Sequence, residues 1–294
     1  MTPQDYDYLR NLLKVRSGLV LAADKHYLVE SRLLPVARKA GLNDLATLVC
    51  KLKDANAEPL IVEVVEAMTT NETFFFRDRI PFDHFREIMI PALLVARERE
   101  RRIRIWCMAA STGQEPYTLA ICLKEMSKML AGWKVEIVAT DISNETLEKA
   151  KSGIYSQFEV QRGLPIMMLV KYFTQVGELW QLTPELRSMV QYKQFNLLHD
   201  FSRLGTFDVV FCRNVLIYFD HPTKIDVLDR IARVIVPDGF LTLGAAETVV
   251  GLTGAFKPHA DHRGLYVPQR AGVKSTGNII NFATSRAAMA SGGR

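Results

Sequence analysis

Two acids occupy positions from which a fold would turn them toward a bound molecule. Glu115 follows shortly after five small residues, Ala109, Ala110, Ser111, Thr112 and Gly113, where a backbone can approach a ligand without side chains in the way. Asp141 closes the segment Lys134-Val-Glu-Ile-Val-Ala-Thr-Asp141. An acid at such a strand tip accepts hydrogen bonds from ribose hydroxyls, whereas an acid at the turn repels a phosphate. Gly113 stands alone, without the G-x-G-x-x-G pattern that cradles a pyrophosphate. The pair argues against NAD and FAD and points to a nucleoside without phosphates.

These acids need a strand, a turn and a helix to hold them. Ile103, Ile105 and Cys107 alternate with Arg104 and Trp106 after the charged run 97–102, which predicts a strand. Pro116 suits a first helical turn, and Tyr117 to Leu130 has helical spacing of apolar residues. Together they form the first βα unit of a doubly wound sheet, with 134–141 as the second strand. S-adenosylmethionine is the common cofactor that is adenosine-like and carries no phosphate.

The chain has 294 residues, enough for one large domain or two modest ones. Its 48% apolar and 23% charged content is ordinary for a soluble globular protein. No apolar run approaches the roughly 20 residues of a membrane span, and Met1 to Asp5 does not open a signal peptide. Cys50, Cys107, Cys122 and Cys212 lack C-x-x-C spacing and lie in apolar segments, so buried, reduced thiols of a cytoplasmic protein are expected. A net charge of +5 suits an acidic protein partner or RNA equally.

Residues 1–70 are expected to form a small all-α domain. Its helices start near Tyr6, Lys25, Asn43 or Asp44, and Pro59, with Gly18 and Gly41 ending the first two. The second helix carries Lys25, Arg32, Arg38 and Lys39 against Glu30 alone. Segment 71–102 is a linker with a connecting helix, and its Phe74, Phe75 and Phe76 are expected to be buried at the domain interface. From 103 to 268 the alternation of strand and helix predicts a Rossmann-like sheet. An antiparallel β-subdomain interrupts it at about 165–194, with strands near 171–175, 179–182 and 189–192. Met167 and Met168 are expected as core or interface filler, and Tyr172, Phe173 and Trp180 as packing between subdomain and sheet. Phe207 to Cys212 reads as a buried parallel strand, which turns Arg213 and Asn214 into the ligand crevice. Pro237-Asp-Gly239 reads as a turn, His259 and His262 as a surface loop rather than a metal site, and 269–294 as a disordered tail.

Five segments carry a resemblance. They are Asn71-Glu-Thr-Phe-Phe-Phe-Arg-Asp, Ala109-Ala-Ser-Thr-Gly-Gln-Glu-Pro-Tyr-Thr, Ala139-Thr-Asp-Ile-Ser, Asn196-Leu-Leu and Phe211-Cys-Arg-Asn-Val-Leu-Ile-Tyr-Phe. From about Tyr6 to Val267 the chain resembles the chemotaxis receptor glutamate methyltransferases, the CheR family. The resemblance implies a helical N-terminal domain, a Rossmann-like domain and an inserted β-subdomain. It also implies methyl transfer from S-adenosylmethionine to glutamate side chains on the cytoplasmic helices of chemoreceptors. Carried over by motif, the cofactor ligands are Asn71, Thr73, Arg77, Glu115, Asp141, Asn196, Leu197, Arg213 and Asn214. Asp141 would meet the ribose, Asn196 and Leu197 the adenine, Glu115 the ammonium and Arg77 the carboxylate of the cofactor.

Arg79 and Tyr218 are the residues expected to hold the acceptor carboxylate. Lys25, Arg32, Arg38 and Lys39 are the expected contact with an acidic receptor bundle. Some members of the family tether to a receptor pentapeptide through a longer, glycine-rich turn in the β-subdomain. The turn here is only Gln175-Val-Gly-Glu-Leu179, which is expected of the pentapeptide-independent type. Two other functions use the same fold: methylation of RNA or a small molecule, and a non-catalytic protein that binds S-adenosylmethionine.

Overall fold

The structure is a computed structural model and describes residues 1–269, so the expected tail from Arg270 onward lies outside the described residues. Helix α1 (Pro3–Ser17) starts at a capping box: the Thr2 hydroxyl accepts from the Asp5 amide at 3.2 Å, and the Asp5 carboxylate accepts from the Thr2 amide at 2.9 Å. Helices α2 (His26–Lys39), α3 (Leu45–Lys51) and α4 (Glu58–Met68) complete a bundle around Leu9, Leu13, Leu33, Leu48 and Val64. Of the two residues expected to cap α3, Asn43 and Asp44, it is Asp44 that does so. An irregular strap, residues 69–79, leads into α5 (Ile80–His84), a π-helical turn (Phe85–Met89) and α6 (Ile90–Ala96).

The remainder is an α/β sheet with an insertion. Strand β1 (Arg102–Met108), α7 (Gln114–Glu125), β2 (Lys134–Asp141) and α8 (Asn144–Ser152) are followed by β3 (Ile154–Ser156). Then come α9 (Gln157–Gln161), α10 (Ile166–Tyr172), β4 (Phe173–Val176), β5 (Leu179–Leu182), α11 (Pro184–Ser188) and β6 (Val190–Gln194). Strand β7 (Phe207–Cys212), α12 (His221–Val234), β8 (Ile235–Leu243), β9 (Phe256–Pro258) and β10 (Leu265–Pro268) close the chain. The seven-stranded sheet runs in the order β6-β2-β1-β7-β8-β10-β9. Its first five strands are parallel, and β10 and β9 are antiparallel additions at one edge. Order reverses between β1 and β7, which makes the crevice beyond their carboxyl ends the binding position of such a sheet.

Side-chain alternation divides the core between the two faces. Ile103, Ile105 and Cys107 pack with α7 and the subdomain, while Trp106 and Met108 pack with Phe207, Leu228 and Ile231. Every residue of β7 is buried, as its apolar run predicts. At the opposite end of the strands, Arg97 bridges Asp208 at 3.0 Å and Asp238 at 2.6 Å, tying α6 to β7 and β8.

The insertion differs from the expected pattern. Strands β4 and β5 pair as an antiparallel hairpin, but their third partner is β3, from before the expected boundary. The segment expected as the third subdomain strand is β6, which pairs parallel with β2 at the edge of the main sheet. Pro237-Asp-Gly239 is an irregularity within β8 rather than a turn, with a register shift against β7. Phe75 is fully buried, with Phe76 packed partly buried against the same core. Tyr172 and Phe173 join that core, with Trp180 against it. Met167 is 74% exposed and so is not filler, and Cys50 is exposed whereas the other three thiols are buried. Among the described residues, no helix is long and apolar enough to cross a membrane.

Candidate active site

A cleft opens over the carboxyl ends of β1, β2, β6 and β7. Its floor is the small-residue turn after β1, where Ala109 and Ser111 both have φ of 51°. Gly113 ends the turn at φ 92°, and a Cβ there would come within 2.7 Å of the Tyr192 hydroxyl. Among the described residues, six of the seven non-glycine positions with positive φ lie in the segments that frame the cleft: Phe76, Asp78, Arg79, Ala109, Ser111 and Asn214. Backbone strain of this kind persists where surrounding contacts hold it, and it gathers at binding sites.

Asp141 and Glu115 reach the cleft from two directions. The buried Asp141 carboxylate accepts from the Ser111 amide at 2.7 Å and the Ser143 amide at 3.0 Å. Burial pushes its pKa up, and those amides oppose the shift. Glu115, in the first turn of α7, accepts from Arg213 Nη1 at 2.7 Å. Burial raises its pKa against the pull of that guanidinium. The other amino group of Arg213 donates to the Arg77 carbonyl at 2.9 Å and to Asp78 at 2.6 Å. The Arg213 side chain is 1% exposed, and its guanidinium lies 5.6 Å from the Phe82 ring centre.

The strap closes one side. The Asn71 carbonyl accepts from the Ser111 hydroxyl at 3.0 Å, and Thr73 and Arg77 line the cleft. Arg77 donates to the Glu72 carbonyl at 2.7 Å, and Glu72 pairs with Arg162 of the subdomain at 2.6 Å. On the other side the helical bundle closes in, with Ser17 and Leu19 on the lining. Asn196 donates its amide to the Arg16 carbonyl at 2.7 Å and accepts from the Leu198 amide at 3.0 Å. Its side chain thus binds the bundle to the sheet as well as bordering the cleft. The Val20 amide donates to the Tyr218 carbonyl at 2.9 Å, and Glu66 accepts from the Asn144 amide at 2.9 Å.

All nine residues expected to hold the cofactor line this one cleft, with Tyr218 beside them. Arg79 does not line it; it is exposed and immediately precedes α5. Of the expected receptor contacts, Lys25 and Lys39 pair with Asp24 and Glu63, and Arg38 is exposed. Arg32 turns inward and donates to the carbonyls of Met68 and Thr69 at 2.7 and 2.9 Å, so it fastens the start of the strap. His259 and His262 lie with their rings tilted against each other, His262 also beside His84, off the cleft lining. Two site residues escape a reading of the sequence. Asp78 was signalled only by its place beside Arg77, and Glu247, which accepts from the Asn214 amide at 2.8 Å, by nothing local.

The donor set fits a nucleoside with an amino-acid end. The buried carboxylate of Asp141, the partly buried one of Glu115 and small backbone turns suit ribose hydroxyls and a cation, and an array of free amides for phosphates is replaced by Glu115. Sheet order and cleft define a Rossmann-like methyltransferase domain against a helical one. The family model of the CheR methyltransferase SAM binding domain matches residues 71–264, and that of the CheR methyltransferase all-alpha domain matches 4–69. Chemotaxis protein methyltransferase Cher2 of Pseudomonas putida is 39% identical over 84% of this chain and 91% of its own length. Chemotaxis protein methyltransferase 1 of Pseudomonas aeruginosa is 41% identical over the same shares, 84% and 91%. The chain belongs to the CheR methyltransferase family. It is an S-adenosylmethionine-dependent chemotaxis protein methyltransferase, and its reaction is the methylation of chemoreceptor glutamates.

Replacing Asp141 with alanine removes a buried charged acceptor, a loss of about 1.5–3 kcal/mol. Titration calorimetry with S-adenosylhomocysteine should show at least a tenfold weaker complex for Asp141→Ala and an unchanged one for the control Cys50→Ala. Equal affinities would remove Asp141 from the cofactor site.

Proposed function

We propose that Asp141 binds the cofactor's ribose, Asn196 and Leu197 its adenine, and Glu115 and Arg77 its charged amino-acid end. Asn71, Thr73, Arg213 and Asn214 complete that wall, and Tyr218 with Arg79 holds the acceptor carboxylate. When bound, S-adenosylmethionine supplies a methyl group already activated on a sulfonium. The protein's part is to exclude water, align the acceptor and hold its charge.

One observation carries this reading: the cleft offers no free base. Among the described residues that line it there is no histidine, lysine or cysteine. Its three acids are all engaged, Glu115 by Arg213, Asp141 by two amides and Glu72 by Arg162. An amine or hydroxyl acceptor would need a proton removed. A glutamate, with a pKa of about 4.3, arrives ionised and needs none. What remains is orientation, where well-placed reactants are worth about 7–11 kcal/mol. An arginine gripping both carboxylate oxygens would blunt the nucleophile. Arg79 stands exposed and off the lining, so in this reading it meets the arriving carboxylate from the rim, guiding one oxygen and leaving the other free.

For docking, the helical segment 1–70 presents Lys25, Arg38 and Lys39 to the acidic cytoplasmic bundle of a receptor, without Arg32, which is committed to the strap. The β4–β5 turn is just Gly177 and Glu178, which supports docking without pentapeptide tethering.

The test is methyl transfer from labelled S-adenosylmethionine to a purified receptor cytoplasmic fragment, scored as base-labile methanol. Label should disappear when the receptor glutamates become alanine, and the rate should fall as pH drops toward ~4.3. Tyr218→Phe and Arg79→Ala should each lower turnover with cofactor affinity intact; full turnover in both would overturn their roles. In the same assay, Arg38→Glu with Lys39→Glu should raise KM for the receptor and spare cofactor binding. An unchanged KM would rule out that docking face, and dependence on the receptor's last five residues would rule out untethered docking.

A further inference from the structure

The loop after β7 is held by a carboxylate that does not line the cleft. Glu247 lies beyond β8, whose end pairs with that of β7 through Cys212 and Leu243. One carboxylate oxygen, Oε2, accepts from the amides of Asn214 at 2.8 Å and Gly244 at 2.7 Å. The other, Oε1, accepts from Val215 at 3.0 Å and Ile217 at 3.3 Å. Four amides converging on one anion form an acceptor-demanding nest. The loop they belong to starts at Asn214 with φ 57° and continues through the 3-10 turn Leu216–Tyr218. Asn214, Val215 and Tyr218 are cleft residues. Close approach is built in at Gly244, where a Cβ would lie 2.7 Å from Oε2 and 2.9 Å from the Asn214 amide.

We infer that Glu247 is a positioning residue for methyl transfer: its carboxylate fixes the Asn214–Tyr218 wall against which the acceptor glutamate is held. The inference rests on the reading of Tyr218 as an acceptor-side residue. The side chain acts as a doubly occupied anion, not as filler. A glutamine of the same shape would face two amide donors with its own amide and would not replace it.

The test uses full-length Glu247→Gln and Glu247→Ala. Turnover on a receptor fragment, per site counted by S-adenosylhomocysteine binding, should fall roughly 10- to 100-fold in both, as a small misplacement near the reacting groups does. Without any ligand, hydrogen exchange at residues 214–217 should speed up, while the amides of the helical bundle keep their rates. Wild-type turnover and exchange in Glu247→Gln would overturn the inference, because a space-filling role is satisfied by glutamine. Should both variants fail to fold, Gly244→Ala decides. It crowds the same carboxylate from the other side, and it should slow turnover and loosen 214–217; wild-type behaviour there would also overturn the inference. A wild-type enzyme inactive on the receptor would instead sink the acceptor reading, and the exchange measurement would still report the hold of Glu247.

Discussion

A buried guanidinium holds the site together. Arg213 joins the end of β7 to the first turn of α7 through Glu115 and to the strap through Asp78 and the Arg77 carbonyl. These segments are far apart in sequence and have no sheet pairing between the strap and β7. A charge so buried is costly unless paired, and loss of one partner leaves another uncompensated, typically at about 3–5 kcal/mol. The two acids at this guanidinium thus hold the strap in place at the mouth. The strained residues Phe76, Asp78 and Arg79 lie in the stretch it anchors.

The helical bundle and the β-subdomain then act as walls rather than appendages. The bundle reaches the cleft through Ser17 and Leu19, and is fastened by Asn196, Glu66 and the Val20–Tyr218 contact. The subdomain supports the strap by Arg162, which pairs with Glu72 and lies 4.3 Å from the Phe74 ring centre. Bundle, strap and subdomain thus enclose one cleft between them.

Much of this was legible in the residues. The strands Lys134–Asp141 and Phe207–Cys212 have the expected ends, because each begins or stops at a change from apolar run to polar residue. That the nine residues expected to hold the cofactor share one cleft was legible because they sit at strand ends and in short motifs, and position along a strand determines which way a side chain faces. Pairing partners were not. Strands of three to five residues in the insertion carry too little pattern to say whether Val190–Gln194 joins β5 or β2, and β3 was hidden for the same reason. Arg32 looked like part of a basic face, since no local rule shows that a side chain bends back to carbonyls 36 and 37 residues away. Glu247 was silent because its four amides come from two loops that only the β7–β8 pairing brings together.

The most direct test of the Arg213 knot is the dissociation constant of S-adenosylhomocysteine from Arg213→Lys, measured beside the wild type with the fold checked by thermal unfolding. Lysine keeps the charge but is a point donor that cannot span Glu115, Asp78 and the Arg77 carbonyl at once. At least a tenfold weaker complex is expected in a folded variant. Wild-type affinity in that variant would show that the strap and the cleft do not depend on the guanidinium.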